Sequence, residues 1–334
     1  RQHLHHHRQP GRRLARGRVA GCSAGRTRRV VSLGVRIGTV VHSAKFLFRV
    51  LVQMVSADIH TVDAEDGTAL AYCATPVQAS DAETHREPGI VFLGGFMSDM
   101  TGQKAIVLEA RARETGHAFL RLDYSGHGAS GGAFRDGTIG RWRDDALTVI
   151  RHAGQTVPGL GGDLVLVGSS MGGWIATLVA KALNHEVGEQ NIVGLVTVAA
   201  AADFTEDLLP ARLGPEALAR IAETGVFEAP SEYADEPYVI TQDLIEDGRN
   251  HLVLRESLGL DIPVRLIHGT ADPDVPWAQS QKLMGALTSN DVELILIKDG
   301  DHRLSEPHDL ARLVSVVERL CDQVSASNAA SPAR

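Results

Sequence analysis

Three residues in this chain have the types and order needed for nucleophilic acyl transfer: Ser170, then Asp272, then His302, each at the end of a short apolar run. Ser170 lies in Gly168-Ser-Ser-Met-Gly172, with Asp163-Leu-Val-Leu-Val before it and Trp174-Ile-Ala-Thr-Leu-Val-Ala after it. That spacing predicts a buried strand, a sharp turn and a helix. Glycine on either side of the turn removes side chains that would collide with the neighbouring strand and helix. The same Gly-x-Ser-x-Gly pattern occurs at Gly21 to Gly25 and at Gly128 to Gly132, but neither copy directly follows an apolar strand. The strand and helix around Ser170 single it out as the nucleophile.

A serine hydroxyl attacks poorly at neutral pH until a base takes its proton. The base in turn needs a carboxylate to hold its tautomer and offset its charge. In the strand-turn-helix arrangement the acid follows the serine and the histidine follows the acid. That order disposes of most of the 15 histidines. The loop His268-Gly-Thr-Ala-Asp272-Pro-Asp274-Val-Pro276 ends one apolar run and offers two carboxylates, with Asp272 the expected acid and Asp274 the fallback. The loop Lys298-Asp-Gly-Asp-His302 ends the next run and supplies the expected base, ahead of His308, which opens the last helical stretch. His268 and His127 read as turn residues. An oxyanion needs two fixed donors; the Met171 N–H is one by position, and the Phe96 N–H, after the close-approach pair Gly94-Gly95, is the other.

The elements that must position these loops follow from periodicity. Residues 59–62 and 69–72 flank Asp66-Gly67 as an antiparallel hairpin. Strands are expected at 90–93, 117–122, 163–167, 192–200, 262–268 and 292–297, with helices at 104–114, 139–157, 278–287 and 307–324 between and after them. Strands alternating with helices imply right-handed crossovers. The expected fold is α/β: a mainly parallel eight-stranded sheet with helices on both faces and a small helical cap inserted before the last two strands. The alternation lapses from 203 to 250, where 12 acids face three arginines and Phe204, Phe227, Tyr233 and Tyr238 occur. This is the expected cap, reaching to about residue 258, over an α/β domain spanning 58–325. Residues 326–334 read as a frayed tail.

The chain has 334 residues, 43% hydrophobic and 22% charged, with a net charge of −8. That charge is divided unevenly. Residues 1–57 hold 12 Lys or Arg and no acid, leaving 21 basic and 41 acidic residues in the remainder. An acidic body argues against a nucleic-acid partner. Cys22, Cys73 and Cys321 are far apart, so neither a metal site nor a disulfide framework is expected, and no cofactor motif is present. The longest apolar stretch, 30–55, is interrupted by Arg36, His42, Lys45 and Arg49, so no transmembrane segment is expected. The basic leader, residues 1–55, reads as disordered upstream sequence with the true start near Met54, which puts the protein in the cytoplasm. The alternative is a transit peptide and the mitochondrial matrix.

Gly168-Ser-Ser-Met-Gly-Gly, His268-Gly-x-x-Asp272-x-x-Val-Pro, Gly300-Asp-His302 and Asp123-Tyr-Ser-Gly-His-Gly-x-Ser130 together resemble the α/β-hydrolase superfamily. Five further stretches narrow the likeness: Gly95 to Gly102, Arg121 to Gly126, Trp142 with Asp145, Val167 to Trp174, and Asp272-Pro-Asp-Val-Pro-Trp277. They are similar to the mitochondrial abhydrolase-domain palmitoyl-protein thioesterases, also described as acyl-glucuronide esterases, and their bacterial relatives. The resemblance implies hydrolysis of acyl thioesters or activated esters, on small-molecule or acylated-protein substrates, by Ser170, Asp272 and His302. The chain departs from it in the acidic cap and at Pro273, so acyl-chain preference is not carried over. Two other readings stand beside it: a general carboxylesterase, and a binding protein that kept the fold without the chemistry.

Overall fold

The computed structural model describes residues 58–77, 87–186, 188, 190–229 and 237–330. The basic leader, most of the polar loop 80–89 and Tyr233 lie outside the described residues.

The chain begins with β1 (His60–Asp63) and β2 (Ala69–Thr75), an antiparallel hairpin with Val62 opposite Leu70. Gly67 turns it at φ 81°, where a side chain would be strained, and Asp66 Oδ1 accepts the Thr68 N–H at 2.9 Å. Then come β3 (Gly89–Leu93), helix α1 (Gln103–Thr115) and β4 (Phe119–Leu122). Helix α2 (Ile139–Thr156) is capped by Thr138, whose hydroxyl accepts the Arg141 N–H at 3.2 Å. β5 (Asp163–Ser169), α3 (Met171–His185) and β6 (Asn191–Val198) follow. After an insertion, β9 (Val264–Gly269), β10 (Val292–Ile297) and their helices close the fold. The eight strands lie in the order β1-β2-β4-β3-β5-β6-β9-β10. The pairings from β4 to β10 are parallel, and both pairings of β2 are antiparallel. The fold is the α/β arrangement expected.

Alternate residues of each central strand feed opposite faces, as the two-residue period requires. Val91, Leu93, Leu164 and Leu166 enter one core with Trp142 of α2 and Trp174 of α3. Ile90, Phe92, Val165 and Val167 enter the other, with Leu108 of α1 and the side chains Leu313 and Val317 of the last helix, α8 (Pro307–Ala330). Each such aliphatic side chain, fully removed from water, stabilises by about 1.5–3 kcal/mol. The centre of the sheet is therefore a stiff platform for the loops at its carboxyl ends.

The insertion between β6 and β9 contains α4 (Phe204–Asp207), α5 (Leu209–Thr224), β7 (Val226–Ala229), β8 (Tyr238–Thr241) and α6 (Gln242–Gly248). It is not purely helical, because β7 and β8 pair antiparallel. α5 is kinked where Gly214 adopts φ 75° and ψ 172° ahead of Pro215. Some of its acids are ion-paired: Glu206 with Arg249 at 2.8 Å, and Asp207 with Lys282 at 3.0 Å and with Arg255. α8 also runs past the expected stop at 324. Asn328 bonds Asp163 at 2.6 Å and Ser325 bonds Glu87, which ties that turn to the body. No helix among the described residues is long and apolar enough to cross a membrane.

Candidate active site

Ser170 joins β5 to α3 with φ 56° and ψ −122°, a conformation few side chains tolerate. The glycines beside it explain how the turn closes. A Cβ on Gly168 would lie 2.2 Å from the Gly172 carbonyl oxygen, and one on Gly172 would lie 2.2 Å from that of Leu93. The turn is pinned further by the Ser170 N–H, which donates to Val198 O at 2.8 Å.

His302, from the loop after β10, brings Nε2 to 3.0 Å from Ser170 Oγ and Nδ1 to 2.8 Å from Asp272 Oδ2. A carboxylate only accepts, so Nδ1 carries the proton and Nε2 is left to accept from the serine hydroxyl. Asp272, from the loop after β9, has a fully buried side chain, and its Oδ1 accepts the N–H groups of Asp274 at 2.9 Å and Val275 at 2.8 Å. Burial alone would raise this carboxyl; hydrogen bonds from His268, His302 and the Val275 N–H outweigh it and hold the group well below the usual carboxylate range. The three expected residues thus meet in one hydrogen-bonded row. Asp274 stays outside it, paired instead with Arg212 of α5 at 2.9 Å, and His308 is exposed on α8 beside Asp309.

Two histidines read from the sequence as turn residues do more than that. His268 is fully buried at the end of β9; its Nε2 lies 2.9 Å from Val275 O and 3.2 Å from Asp272 Oδ2, and its Nδ1 meets the Ser280 hydroxyl at 2.7 Å. The Val275 carbonyl only accepts, so Nε2 is a donor that also faces the acid from behind. His127 accepts the Met97 N–H on Nε2 at 3.3 Å and faces Ser125 O through Nδ1 at 3.2 Å. Burial lowers its pKa to about 4, so it is a neutral prop for the loop that carries Phe96. The available signal was position: each follows a buried strand on the site side of the sheet.

Phe96 and Met171 both line the cleft at Ser170, and among the described residues neither backbone N–H has an acceptor. The loop after β4 supports them from below. Asp123 accepts the N–H groups of Met100 at 2.6 Å and Ala129 at 2.8 Å, while Asp145 and Trp142 both hold Ser125. The cleft has a volume of about 540 Å³. Phe204 and Tyr238 of the insertion line it, whereas Phe227 packs against the core. Among the described residues, one trio of side chains has metal-ligand spacing, Asp272, Asp274 and His302, with ligand atoms within 4.8 Å of one another. These donors already serve each other and Arg212.

Residues 90–314 match the alpha/beta hydrolase family. The mitochondrial palmitoyl-protein thioesterase of Bos taurus is 37% identical over 241 residues, covering 72% of this chain and 75% of that protein. Among solved structures, a candidate hydrolase from Agrobacterium vitis S4 is 41% identical with a TM-score of 0.72, covering 80% of this chain and 99% of its own. Alpha/beta hydrolase domain-containing protein 10 from mouse is 32% identical with a TM-score of 0.68, covering 80% of this chain and all of its own.

Proposed function

The chain belongs to the alpha/beta hydrolase family, and on that premise we propose that it is a serine hydrolase cleaving acyl thioesters or carboxylic esters, with palmitoyl-protein thioesterase activity favoured. The observation that carries the reading is the row Ser170, His302, Asp272 beside a cleft with an apolar wall. In the first half-reaction Ser170 Oγ attacks the carbonyl carbon while His302 Nε2 takes the hydroxyl proton. Asp272 holds the resulting imidazolium in place. The Phe96 and Met171 N–H groups bind the oxyanion, a contribution of about 2.7–4 kcal/mol per donor elsewhere. Collapse breaks the bond to the leaving sulfur or oxygen, which departs with the proton from His302. Water then attacks the acyl-Ser170 ester by the same route and releases the acid.

In this reading residues 203–258 form a cap whose Phe204 and Tyr238, with Leu208 and Leu213, accept the acyl chain. The curated relative's name supports the thioester assignment, and its word mitochondrial supports the matrix alternative for an Arg-rich, acid-free leader. Labelling with a fluorophosphonate tests the nucleophile: the wild type should react and Ser170→Ala should not. Specificity constants for an S-palmitoyl-cysteine peptide and for short aryl esters test the substrate. Equal or better use of the aryl esters would replace the thioesterase assignment with a general carboxylesterase.

A further inference from the structure

The turn that carries the Phe96 N–H is strained. Its next residue, Met97, has φ 54°, a left-handed conformation that side chains rarely adopt and that persists only where the surroundings impose it. Further along the same loop, Met100 is held by β4. Arg121 and Asp123 are alternate residues of that strand and its end, so they face the same side. Asp123 Oδ1 accepts the Met100 N–H at 2.6 Å, and Arg121 Nη1 donates to the Met100 carbonyl at 3.0 Å, so both polar groups of one backbone residue are fixed. The Met100 side chain is buried as well, packed with Ala71 and Cys73 of β2. We propose that Arg121 is a positioning residue for hydrolysis: by holding the Met100 carbonyl it fixes the turn that aims the Phe96 N–H at the oxyanion. The proposal rests on the Ser170 reading with Phe96 as a donor, and goes beyond it by naming what keeps that donor in place.

Arg121 can hold the loop because it is itself held. It is 4% exposed, and its Nε donates to Glu109 Oε2 of α1 at 2.8 Å. Glu109 Oε1 accepts in turn from the Thr75 hydroxyl at 2.9 Å and from Arg113 at 2.6 Å. Burial would raise the Glu109 carboxyl; the Arg121 and Arg113 guanidiniums and the Thr75 hydroxyl outweigh it and hold the group below its ordinary value, so it is an ionised partner at neutral pH. The planar guanidinium meets the carboxylate with one donor and keeps another, in fixed geometry, for the loop. A lysine has no such fixed second donor.

Stability alone does not account for this arrangement. Taking two charges out of water cancels most of what their attraction gains, and apolar side chains of like volume would serve the core as well. They could not hold a carbonyl. The network ends on the loop between β3 and α1, where Gly95 passes so close to the nucleophile that a Cβ on it would lie 3.2 Å from Ser170 Cβ.

Both half-reactions pass through an oxyanion, so loosening one donor should lower kcat and leave KM. With Asp123 and His127 still holding the loop, Arg121→Lys and Arg121→Met should each cut kcat for a para-nitrophenyl ester about tenfold with KM within about twofold, a smaller loss than removal of a whole donor. An alkyl trifluoromethyl ketone supplies a readout that a merely structural role would leave alone. Ser170 Oγ adds to its carbonyl carbon, the hydroxyl proton passes to His302, and the carbonyl oxygen becomes a lasting oxyanion. Its inhibition constant should therefore rise by the factor by which kcat falls. The double variant Arg121→Met with Glu109→Met removes both buried charges; it should melt at or above Arg121→Met alone and yet remain as slow, because nothing donates to the Met100 carbonyl. Folded variants that keep wild-type kcat, a fall in kcat without the matching change in ketone affinity, full activity in Arg121→Lys, or recovery in the double variant would each overturn the positioning role and leave the hydrolase reading standing. If none of the variants folds, the pair is a requirement of the fold and the proposal fails. A wild type that neither hydrolyses the ester nor reacts with a fluorophosphonate refutes the Ser170 reading and this one with it.

Discussion

The two sides of the cleft are built by different physics. The sheet side carries Ser170 and Asp272 on loops that leave the buried strands β5 and β9, and His302 on the loop after the edge strand β10, and it is held by backbone contacts too close for any Cβ. The inserted side carries Arg212, Leu213 and Tyr238 and is tied down by ion pairs between half-exposed side chains. Chemistry needs positions fixed to fractions of an ångström, and close-packed backbone supplies that. Selection among substrates tolerates looser fixing, and exposed ion pairs worth 0–1 kcal/mol each suffice for it.

The sharpest way to break this contrast is to add one methyl group to the close-packed sheet side and, as a control, one where there is room for it. Gly172→Ala on the sheet side should destabilise by more than about 4 kcal/mol or abolish folding, since its Cβ would meet backbone oxygens at 2.2 and 2.4 Å that have nowhere to move. As the control, Gly285→Ala in α7 (Ala278–Ala286), the helix between β9 and β10, meets nothing within 4 Å and should be neutral or slightly stabilising. Denaturant unfolding of both variants measures this, and a stable Gly172→Ala protein would sink the rigidity argument.

The next test stays on the sheet side. His268→Ala removes the donor behind Asp272 without touching substrate. We expect kcat to fall by about 10- to 100-fold with KM little changed, by analogy with groups that orient a catalytic ligand. A KM effect of the same size would make His268 part of substrate binding instead.

Reading the chain found the row of three because topology orders it: parallel strands send each following loop to the same edge, so an acid after one strand and a histidine after the next must converge. His268 was hidden because it stands next to the last residue of β9, where a strand end and a turn look alike in sequence. The β7 and β8 pairing was hidden for a different reason. Each strand is four residues long, and Val226-Phe-Glu-Ala has the composition of a helix end. The last helix outran its expected stop because Ser-Ala-Ser-Asn-Ala-Ala is read as loop by polarity, while Ser325 and Asn328 find partners on the body that only the fold brings near.

Acid titration probes the ion-paired side more gently. Asp207 is pushed up by burial and pulled down by Arg255, Gln279 and Lys282, and the net result is a pKa near 2 against an ordinary 3.8. A depressed carboxyl stabilises the fold above its unfolded pKa and loses that contribution as pH falls through the folded one. Asp207→Asn should therefore be about 1–2 kcal/mol less stable than wild type at pH 7, with the gap closing between about pH 4 and pH 2. A gap independent of pH would mean the loss is packing and not charge.

The smallest expected effect is also the one that separates the two sides most directly. Arg212 reaches from α5 to Asp274 at 2.9 Å, and Asp274 is two residues from the acid Asp272 in the same loop. If the inserted side only selects, Arg212→Ala should raise KM for a long-chain ester two- to threefold and leave kcat within a factor of two, because the guanidinium is half exposed and its pair is worth less than about 1 kcal/mol. If the ion pair instead holds the acid loop, kcat should drop while KM stays, and 0.5 M salt should reproduce the drop in the wild type. The ratio of the two kinetic constants assigns Arg212 to one side of the cleft or the other.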